Sequence, residues 1–520
     1  HDYQPKDGEL ERLSAYCDQD VATECAADLR LPALSARERA VWVLDQRIND
    51  RGFAIDLPLV QAAQVAVAGA QKDADREMFR LTRGAVTKVS QVRKLVDWLN
   101  AEGVRCESVA SSETDDLLVY SELIGKPECE AAIRLRRASA GAFKFEAMLR
   151  MVCADGRIRG SLQYHGTHGG RWAGRVVQPQ NFKRIDTDEE AERVQKALWA
   201  LRQADPLGAL RLVDDNLLEV LTLCARPMIV AAPGRKLVDA DFSNIEGRLN
   251  AWFAGEAWKL RAFEAFDRGE GPDLYRVTAA SVTGKPVEAI TRDERQLSGT
   301  VPELACGYQG GMRAFHKMAA TQGVPPIPDA HARRVVTDWR ATNPRIVEMW
   351  GVLQEAAIDA VRAPGTQVSI LGDRIRYRCN GEFLFCRLPS GRVISYAKPS
   401  VGWKRKIIDT DGEKIEFNSY GLSFWGQKNG RWLEIDAYGG MLCAHIVSGT
   451  ARDLLVEAAF AVEAADYPIV LTAHDELLCE VPKGFGSAED FERIILENRP
   501  PWAEGLPLVC KAWEDERYMK

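Results

Sequence analysis

Apolar residues recur every three or four positions through 36–50, 89–102 and 130–152. This spacing predicts amphipathic helices across most of 36–80 and 88–152. The pattern then breaks. Residues 156–181 hold short apolar stretches interrupted by glycine, with GTHGG (166–170) the densest breaker, and predict loop and strand. Residues 217–224 predict a short helix, RKLVDADF (235–242) a compact strand, and 243–255 a helix directly after it. Helical spacing returns over 256–350. From 370 to 436 the period becomes two: RIRYRC, EFLFCRL, RVISYA, GLSFWG and RWLEID are separated by Gly, Asp-Gly and Asn-Gly turns, which predicts antiparallel hairpins. Residues 444–465 predict a helix. Residues 468–481 predict strand, turn and strand, with His474, Asp475 and Glu476 at the turn. Strands and helices do not alternate, so a doubly wound sheet is disfavoured and an α+β fold is expected.

Composition narrows the class. The 520 residues suggest about three or four domains. A hydrophobic fraction of 46% and a charged fraction of 28% exclude disordered and collagen-like chains. No run reaches the ~18–20 apolar residues of a membrane span. The chain opens on His1, and its first twenty residues are polar and acidic with no apolar leader. That reads as a piece of a longer or processed chain and not as a secreted precursor. Twelve cysteines form no CxxC pair and no zinc spacing, which predicts reduced thiols and a cytoplasmic setting. The net charge is 68 − 75 = −7, yet binding follows local charge and not the total. Between Arg134 and Arg184 eleven basic residues face only Glu146 and Asp155. Glycine loops and Gln/Asn interrupt the run, a composition suited to a polyanion backbone.

Candidate chemistry lies at two acidic strand tips, LVDADFSNIEGR (237–248) and LTAHDELLCEV (471–481). Strand alternation places Asp239 and Asp241 on one face, beside a helix start. Carboxylates from two strands can hold two divalent cations about 3.5–4 Å apart and so stabilise both oxygens of a phosphoryl transfer. Oxygen donors of this kind suit Mg²⁺. Each feature also has a plainer reading. Asp is a common turn former, Ser243-x-x-Glu246 fits a helix capping box, and a single His such as His474 is commonly a satisfied polar group. Between the tips, TRDERQLSGTVPELACGYQGG (291–311) predicts a helix with Arg292 and Arg295 at one end and Tyr308 at the other. Arginines can grip a triphosphate and an aromatic can stack on a base. An ordinary surface helix with a core Tyr has the same pattern.

In this order, the segments resemble the family A DNA polymerases, and most of all their phage branch. The resemblance covers about 36–520. DFSNIEGR resembles the first palm motif, AHDE the second, PELACGYQGG the fingers helix, and HGGRWAGRVVQPQNFKR (168–184) the segment that contacts primer–template. RLPSGRVISY (387–396) and AYGGMLCAHIVSGTARDLL (437–455) resemble further segments of the phage enzymes. The resemblance implies a right-hand polymerase: an exonuclease remnant over 1–35, thumb and connecting helices over 36–155, palm over 156–255, fingers over 256–350, and the rest of the palm with a β-hairpin insertion over 351–520. It implies that Asp241 and Asp475 ligate two Mg²⁺ ions, with Mn²⁺ able to substitute, assisted by the Phe242 carbonyl and with Glu476 as a less essential neighbour. Ser243, Asn244, Ile245 and Glu246 would border the incoming nucleotide. Glu246 with Tyr308 would exclude a 2′-hydroxyl. Arg292 or Arg295 would meet the triphosphate. Arg171, Gln180, Asn181 and Ser448 would contact DNA, and His474 the primer end. Partners would be primer–template DNA and dNTPs, acting on a monomer with no membrane association. Tyr16-x-x-x-Asp20 resembles the last motif of the family's 3′–5′ exonuclease, but the other acidic ligands of that domain are missing from the sequence, so no proofreading is expected.

The chain departs from the family pattern in three places. The fingers Lys, eight residues before the Tyr and four before a key apolar position, is Thr300, and the apolar position is Leu304. Arg295 stands five residues before Thr300 where the family has four, as a one-residue insertion near Ser298 and Gly299 would give. The usual Gln before the last motif is Ser448, with Ala444 and His445 upstream. Two rival functions follow: a polymerase fold that binds primer–template but turns over weakly, and an unrelated two-metal phosphohydrolase.

Overall fold

The computed structural model describes residues 8–31, 33–109, 125–140, 143–325, 327–410, 413–428 and 430–519. It divides into two compact units, His1–Arg47 and Ile48–Lys520. The first contains the helix Glu9–Asp28, whose Glu9 and Glu11 suit the positive end of the helix dipole. Leu10, Leu13, Tyr16 and Val21 are exposed along it. Asp20 lies one turn after Tyr16.

The helical run expected over 36–80 is interrupted. Helix Ala36–Arg51 ends at Gly52, which takes a left-handed φ of +57° and lies so close to Ile158 that a Cβ would overlap its carbonyl. Phe53–Ile55 then forms a short strand between Arg157–Ile158 and Ile229–Val230. Asp56 caps the next helix, Leu57–Leu81, by accepting from Leu59 N–H at 3.3 Å. That helix buries Leu59, Val60, Ala63, Val67, Ala70, Ala74 and Met78 along one stripe, as amphipathic spacing requires. Helices Val92–Ala101, Pro127–Ala140 and Phe143–Met151 follow. Part of the helix expected over 130–152 falls at 141–142, outside the described residues.

The site is carried by a four-stranded antiparallel sheet. We label its strands β1 (Arg235–Phe242), β2 (Ile469–Ala473), β3 (Glu476–Pro482) and β4 (Cys510–Asp515); their order is β2-β3-β1-β4. Helix α1 (Ile245–Ala254) leaves the end of β1. Helix α2 (Val301–Cys306) follows a turn of another kind, described below. Helix α3 (Gly439–Ala464) begins five residues before the expected start at 444 and is buried over most of its length. Two weak helix formers begin it because only glycine fits there: a Cβ on Gly440 would overlap the Tyr308 carbonyl. The hairpin region is a six-stranded meander from Gln367–Ile370 to Arg431–Ala437, paired in chain order. The α+β class expected from the sequence is the class observed. Among the described residues no helix is long and apolar enough to cross a membrane.

A buried ion pair fastens the back of α2. Lys259 Nζ lies 2.8 Å from Glu303 Oε2. The other oxygen, Oε1, accepts from Thr278 Oγ1 at 2.8 Å and Trp339 Nε1 at 3.0 Å. Truncating Glu303 strands three buried donors. Glu303→Ala should therefore cost about 3–5 kcal/mol in urea unfolding, whereas Lys259→Met/Glu303→Leu, which removes the stranded charge and leaves only the Thr278 and Trp339 donors unpaired, should cost less than the single mutant. A single mutant within about 1 kcal/mol of the parent would contradict this account.

Candidate active site

The two acidic tips meet at one end of the sheet. β3 pairs with β1 in a register that sets Glu476 opposite Asp241. The hairpin between β2 and β3 turns through His474 and Asp475 alone. His474 takes a φ of +55°, the positive value that tight two-residue hairpins require. Asp475 thus stands beside Asp241, and its carbonyl accepts from Phe242 N–H at 3.2 Å. Phe242 is itself in the core.

Arg171, from the 168–184 loop, bridges two carboxylates. Nη2 donates to Asp475 Oδ1 at 2.7 Å and Nη1 donates to Glu246. Glu246 Oε2 accepts from Tyr308 O–H at 2.8 Å. A second arginine, Arg184, places Nη2 3.6 Å from Asp241 Oδ2 and 3.9 Å from Glu476 Oε2. Four carboxylates therefore face two guanidinium groups. Neither oxygen of buried Glu476 has a hydrogen-bond partner. Burial raises the Asp475 carboxyl to about 6, with Glu246 and Asp241 adding to the shift and Arg171 and Arg184 opposing it. Burial, reinforced by Glu246, likewise pushes the Tyr308 hydroxyl well above its usual range, so it stays a proton donor.

The Asp475 shift carries a stability prediction. Between 3.8 and about 6 the folded chain holds a proton that the unfolded chain has released. Stability therefore falls as pH rises through this window. In chelator-treated urea melts, Asp475→Asn should exceed the parent by up to about 3 kcal/mol at pH 7.5, and the gain should vanish toward pH 4. A difference that is flat with pH would contradict it.

The expected capping box is absent. The residue before α1 is Asn244, left-handed at φ +50°, with no side-chain cap, and Glu246 is turned instead to Tyr308 and Arg171. Ile245 is in the core, so any nucleotide contact it makes is through its backbone. Ser243 N–H is held by the Val509 carbonyl at 3.0 Å. His474 Nε2 lies 3.1 Å from the Gln180 carbonyl, and Gln180 Nε2 donates to the Thr472 carbonyl at 3.2 Å. Exposed Asn181 donates to Gln178 Oε1 at 2.6 Å. Ser448 lies against Gly169.

The arginine end of the 291–311 segment is not drawn into this cluster. Arg295–Thr300 is a π-helix. A π turn brings residues five apart into line, and Thr300 Oγ1 accordingly donates to the Arg295 carbonyl at 3.4 Å. This accounts for the five-residue spacing in the sequence. Gly299 is required there, since a Cβ would overlap the Tyr275 carbonyl. Arg295 pairs with Asp273, Nη2 to Oδ1 at 2.9 Å, and lies over the Tyr275 ring. Arg292 and Leu304 are exposed, while Thr300 is buried. Eight residues separate Thr300 from Tyr308, roughly 12 Å along a helix.

Sequence reasoning assigned no role to Arg184, Arg392 or Asp453, although all three lie within or beside the quoted motifs. Arg392 Nε is 2.6 Å from Asp453 Oδ1, and its Nη2 donates to the carbonyls of Gly169 and Gly449, both at 2.8 Å. This clamp ties the 168–184 loop to α3. Beside it, the rings of His168 and His445 pack at a tilt of 34° with centroids 4.5 Å apart. Burial lowers them to about 4 and about 3 respectively, with His165 adding to the shift of His168 and His168 to that of His445, so this pair is neutral at pH 7. Among the described residues, no three His, Cys, Asp or Glu side chains are grouped to hold a metal ion. Of the carboxylates expected to do so, Asp475 is held by Arg171 and Asp241 lies nearest Arg184.

No family model matches the chain. It is 32% identical over 519 residues to a DNA polymerase of Bacillus phage SP02, spanning 98% of this chain and 75% of that protein. A DNA polymerase I of Pseudomonas aeruginosa is 26% identical over 321 residues, 59% of this chain and 28% of the relative. The solved POL domain of Pol1 from M. smegmatis, in complex with DNA primer-template and dNTP, has the same fold with a TM-score of 0.58 at 17% identity, over 92% of this chain and 69% of that one. Relationship to the phage enzyme along nearly the whole chain accords with the two Asp tips and the Glu246–Tyr308 contact at one sheet end: the chain belongs to the family A DNA polymerases.

Proposed function

We propose that the chain adds deoxynucleotides to a primer 3′-hydroxyl under the direction of a template, in phage DNA replication. The convergence of Asp241 and Asp475 beside Glu246 and Tyr308 carries this reading. The donor set fits divalent cations. Asp241, Asp475 and the Phe242 carbonyl offer hard oxygens, and the oxygens of Glu476 accept no hydrogen bond. When bound, Mg²⁺ would neutralise the triphosphate and acidify the primer hydroxyl. The chain's own groups do the positioning. Glu246, held by Tyr308 and Arg171, would fill the space a ribose 2′-hydroxyl needs. Arg171 can exchange Asp475 for an acceptor in the primer–template minor groove while its other arm keeps Glu246. His474 and Gln180, which fix each other's loops, would border the primer end. In this reading the four-stranded sheet is the palm, 256–350 the fingers and 88–152 part of the thumb. Most of the rate would come from orientation and charge placement. Primer extension on a recessed template with Mg²⁺ and dNTPs tests it, with Asp241→Ala and Asp475→Ala as controls.

A weakly active polymerase is the second reading. It is favoured by buried Thr300 in place of the family's Lys and by Arg295 held on Asp273. Tight primer–template binding without extension would support it. A large rate increase in Thr300→Lys at unchanged DNA affinity would trace the weakness to the missing cation.

A further inference from the structure

The six-stranded meander has two unlike faces. One is core: Tyr377, Leu384, Cys386, Tyr396 and Phe424 are at most 2% exposed, and helix Pro344–Arg362 packs across the strands. The register puts the alternate residues on the other face. There Arg378 lies opposite Phe385, Ala397 lies opposite both Phe383 and Trp425, and Trp432 lies opposite Gln427. A solvated sheet face ordinarily carries polar side chains. This one carries four aromatic rings, and Phe383, Trp425 and Trp432 are exposed, Trp432 by 58%. Phe383 and Phe385 stack on one strand with centroids 5.9 Å apart. Trp425 stands two strand spacings away, about 10 Å, with the small side chain of Ala397 between, so a flat ring can enter the gap.

The charge on this face is positive once its internal pairs are set aside. Asp373 pairs with Arg376, and Glu434 and Asp436 both pair with Lys404. Arg378, Arg387 and Lys398 are exposed beyond these pairs, against Glu382 in the adjoining turn. Lys398 takes a left-handed φ of +45° where the strand register slips, and its Nζ lies 5.8 Å over the Trp425 ring. Spaced aromatics with cations among them hold bases by stacking and phosphates by charge. Rings on an open antiparallel sheet stack two or three bases in this way in RNA-binding domains. A protein partner would need an apolar centre depleted of charge, and here an ammonium group sits over the central ring. The sheet is also tied to the site, since Arg392 in its 388–392 turn holds the carbonyls of Gly169 and Gly449.

We propose that this open face holds the unpaired template strand beyond the duplex, with bases stacked on Phe383, Phe385, Trp425 and Trp432 and with Arg378, Arg387 and Lys398 on the phosphates. The polymerase reading supplies the identity of the strand, and the proposal rests on it in that respect. Stacking of this kind accepts any base, as a surface over which a template moves requires.

The test compares the affinity of the full chain for two labelled DNAs by fluorescence anisotropy across a salt series. One is a blunt duplex, and the other is the same duplex with a 5′ template overhang of about 16 nucleotides, the upper site size of one stacking platform. The parent should bind the overhang DNA at least about ten-fold more tightly than the blunt duplex. Trp425→Ala and Phe383→Ala should each lose about five-fold in overhang affinity, the low end for one base–aromatic stack, and keep blunt-duplex affinity within about two-fold. Trp425→Phe retains a ring and should recover most of the loss, which separates stacking from a folding defect. Arg378→Gln/Arg387→Gln should reduce the slope of log K against log salt by about 1.4, two single-strand phosphate contacts. The proposal is overturned if both aromatic variants bind overhang DNA within about two-fold of the parent, or lose affinity equally for both DNAs. Sedimentation showing a parent dimer that Trp425→Ala dissociates would give the face to a second copy of the chain and overturn it too. A parent that prefers overhang DNA but does not extend primers would sink the polymerase reading while supporting the single-strand face, so the two failures are distinguishable.

Discussion

Asp475→Ala and Asp241→Ala, made separately, should each reduce primer extension by at least about 10²–10³-fold, the cost of removing one preorganised charge from a phosphoryl- or acyl-transfer site. The expectation follows from the register. Asp475 is reached by a two-residue hairpin and Asp241 by the adjoining strand, so neither has a neighbour on the same element that can take its place. Glu476 is the nearest carboxylate, but it sits directly opposite Asp241, almost fully buried. The two variants should differ in a second readout. Losing Asp475 frees one arm of Arg171, whose other arm stays on Glu246, and relieves a strained carboxylate, so the folded state should gain stability near neutral pH. Losing Asp241 removes the closest partner of Arg184 and only one of the negative neighbours of Asp475. Gel-shift affinity for primer–template should persist in both, because DNA affinity is dominated by phosphate contacts elsewhere. Extension above one-tenth of the parent rate in either variant would remove that residue from the catalytic pair.

The part of this site that local pattern specifies was legible in the sequence. RKLVDADF alternates from Val238 to Phe242, and its strand bounds are those expected; the AHDE turn is short and flanked by apolar strands. The hairpin region was also plain, because turns separate its five period-two runs, although the first strand of the meander, Gln367–Ile370, was not among them. The misses are places where tertiary contact overrides local preference. Nothing in the helical spacing of 36–80 announces that Gly52 must pass under the Ile158 carbonyl. The two glycines at 439 and 440 look like helix breakers until the backbones of Trp350 and Tyr308 are packed against them. Ser243-x-x-Glu246 has the spacing of a capping box, yet Glu246 gains more from Arg171 and Tyr308, 75 and 62 residues away, than from its own helix end. The irregular spacing of Arg295 and Thr300 was visible, and the π turn is its physical form. Arg184 was counted among the basic run without a role, since only the sheet end shows that it faces Asp241 and Glu476. Charge counting also overstated that run: Arg157 is spent on Glu480, at 2.9 Å, and on the carbonyls of Arg51 and Gly52.

Glu246→Ala should raise incorporation of ribonucleotides relative to deoxynucleotides by about 100-fold, near the upper end of what a steric pocket of this kind can discriminate. Glu246 is fixed at both oxygens, by Tyr308 O–H on one side and Arg171 on the other, so in the parent its carboxylate cannot swing aside for a 2′-hydroxyl without breaking a charge-assisted bond. Alanine vacates that volume and leaves Tyr308, whose hydroxyl keeps its proton, free to donate to the new sugar oxygen. Glu246→Gln keeps the size and one acceptor oxygen, so it should retain most of the exclusion while weakening the hold of Arg171. Tyr308→Phe removes only the hydroxyl and should relax selectivity by about ten-fold or less, the worth of one hydrogen bond of about 1.4 kcal/mol or weaker. The order Ala, Phe, Gln in lost selectivity distinguishes a steric gate from a charge effect, for which Gln would rank with Ala. Single-nucleotide extension with matched dNTP and rNTP measures all three as ratios of kcat/KM, and equal ratios in parent and Glu246→Ala would mean that the sugar does not meet this side chain.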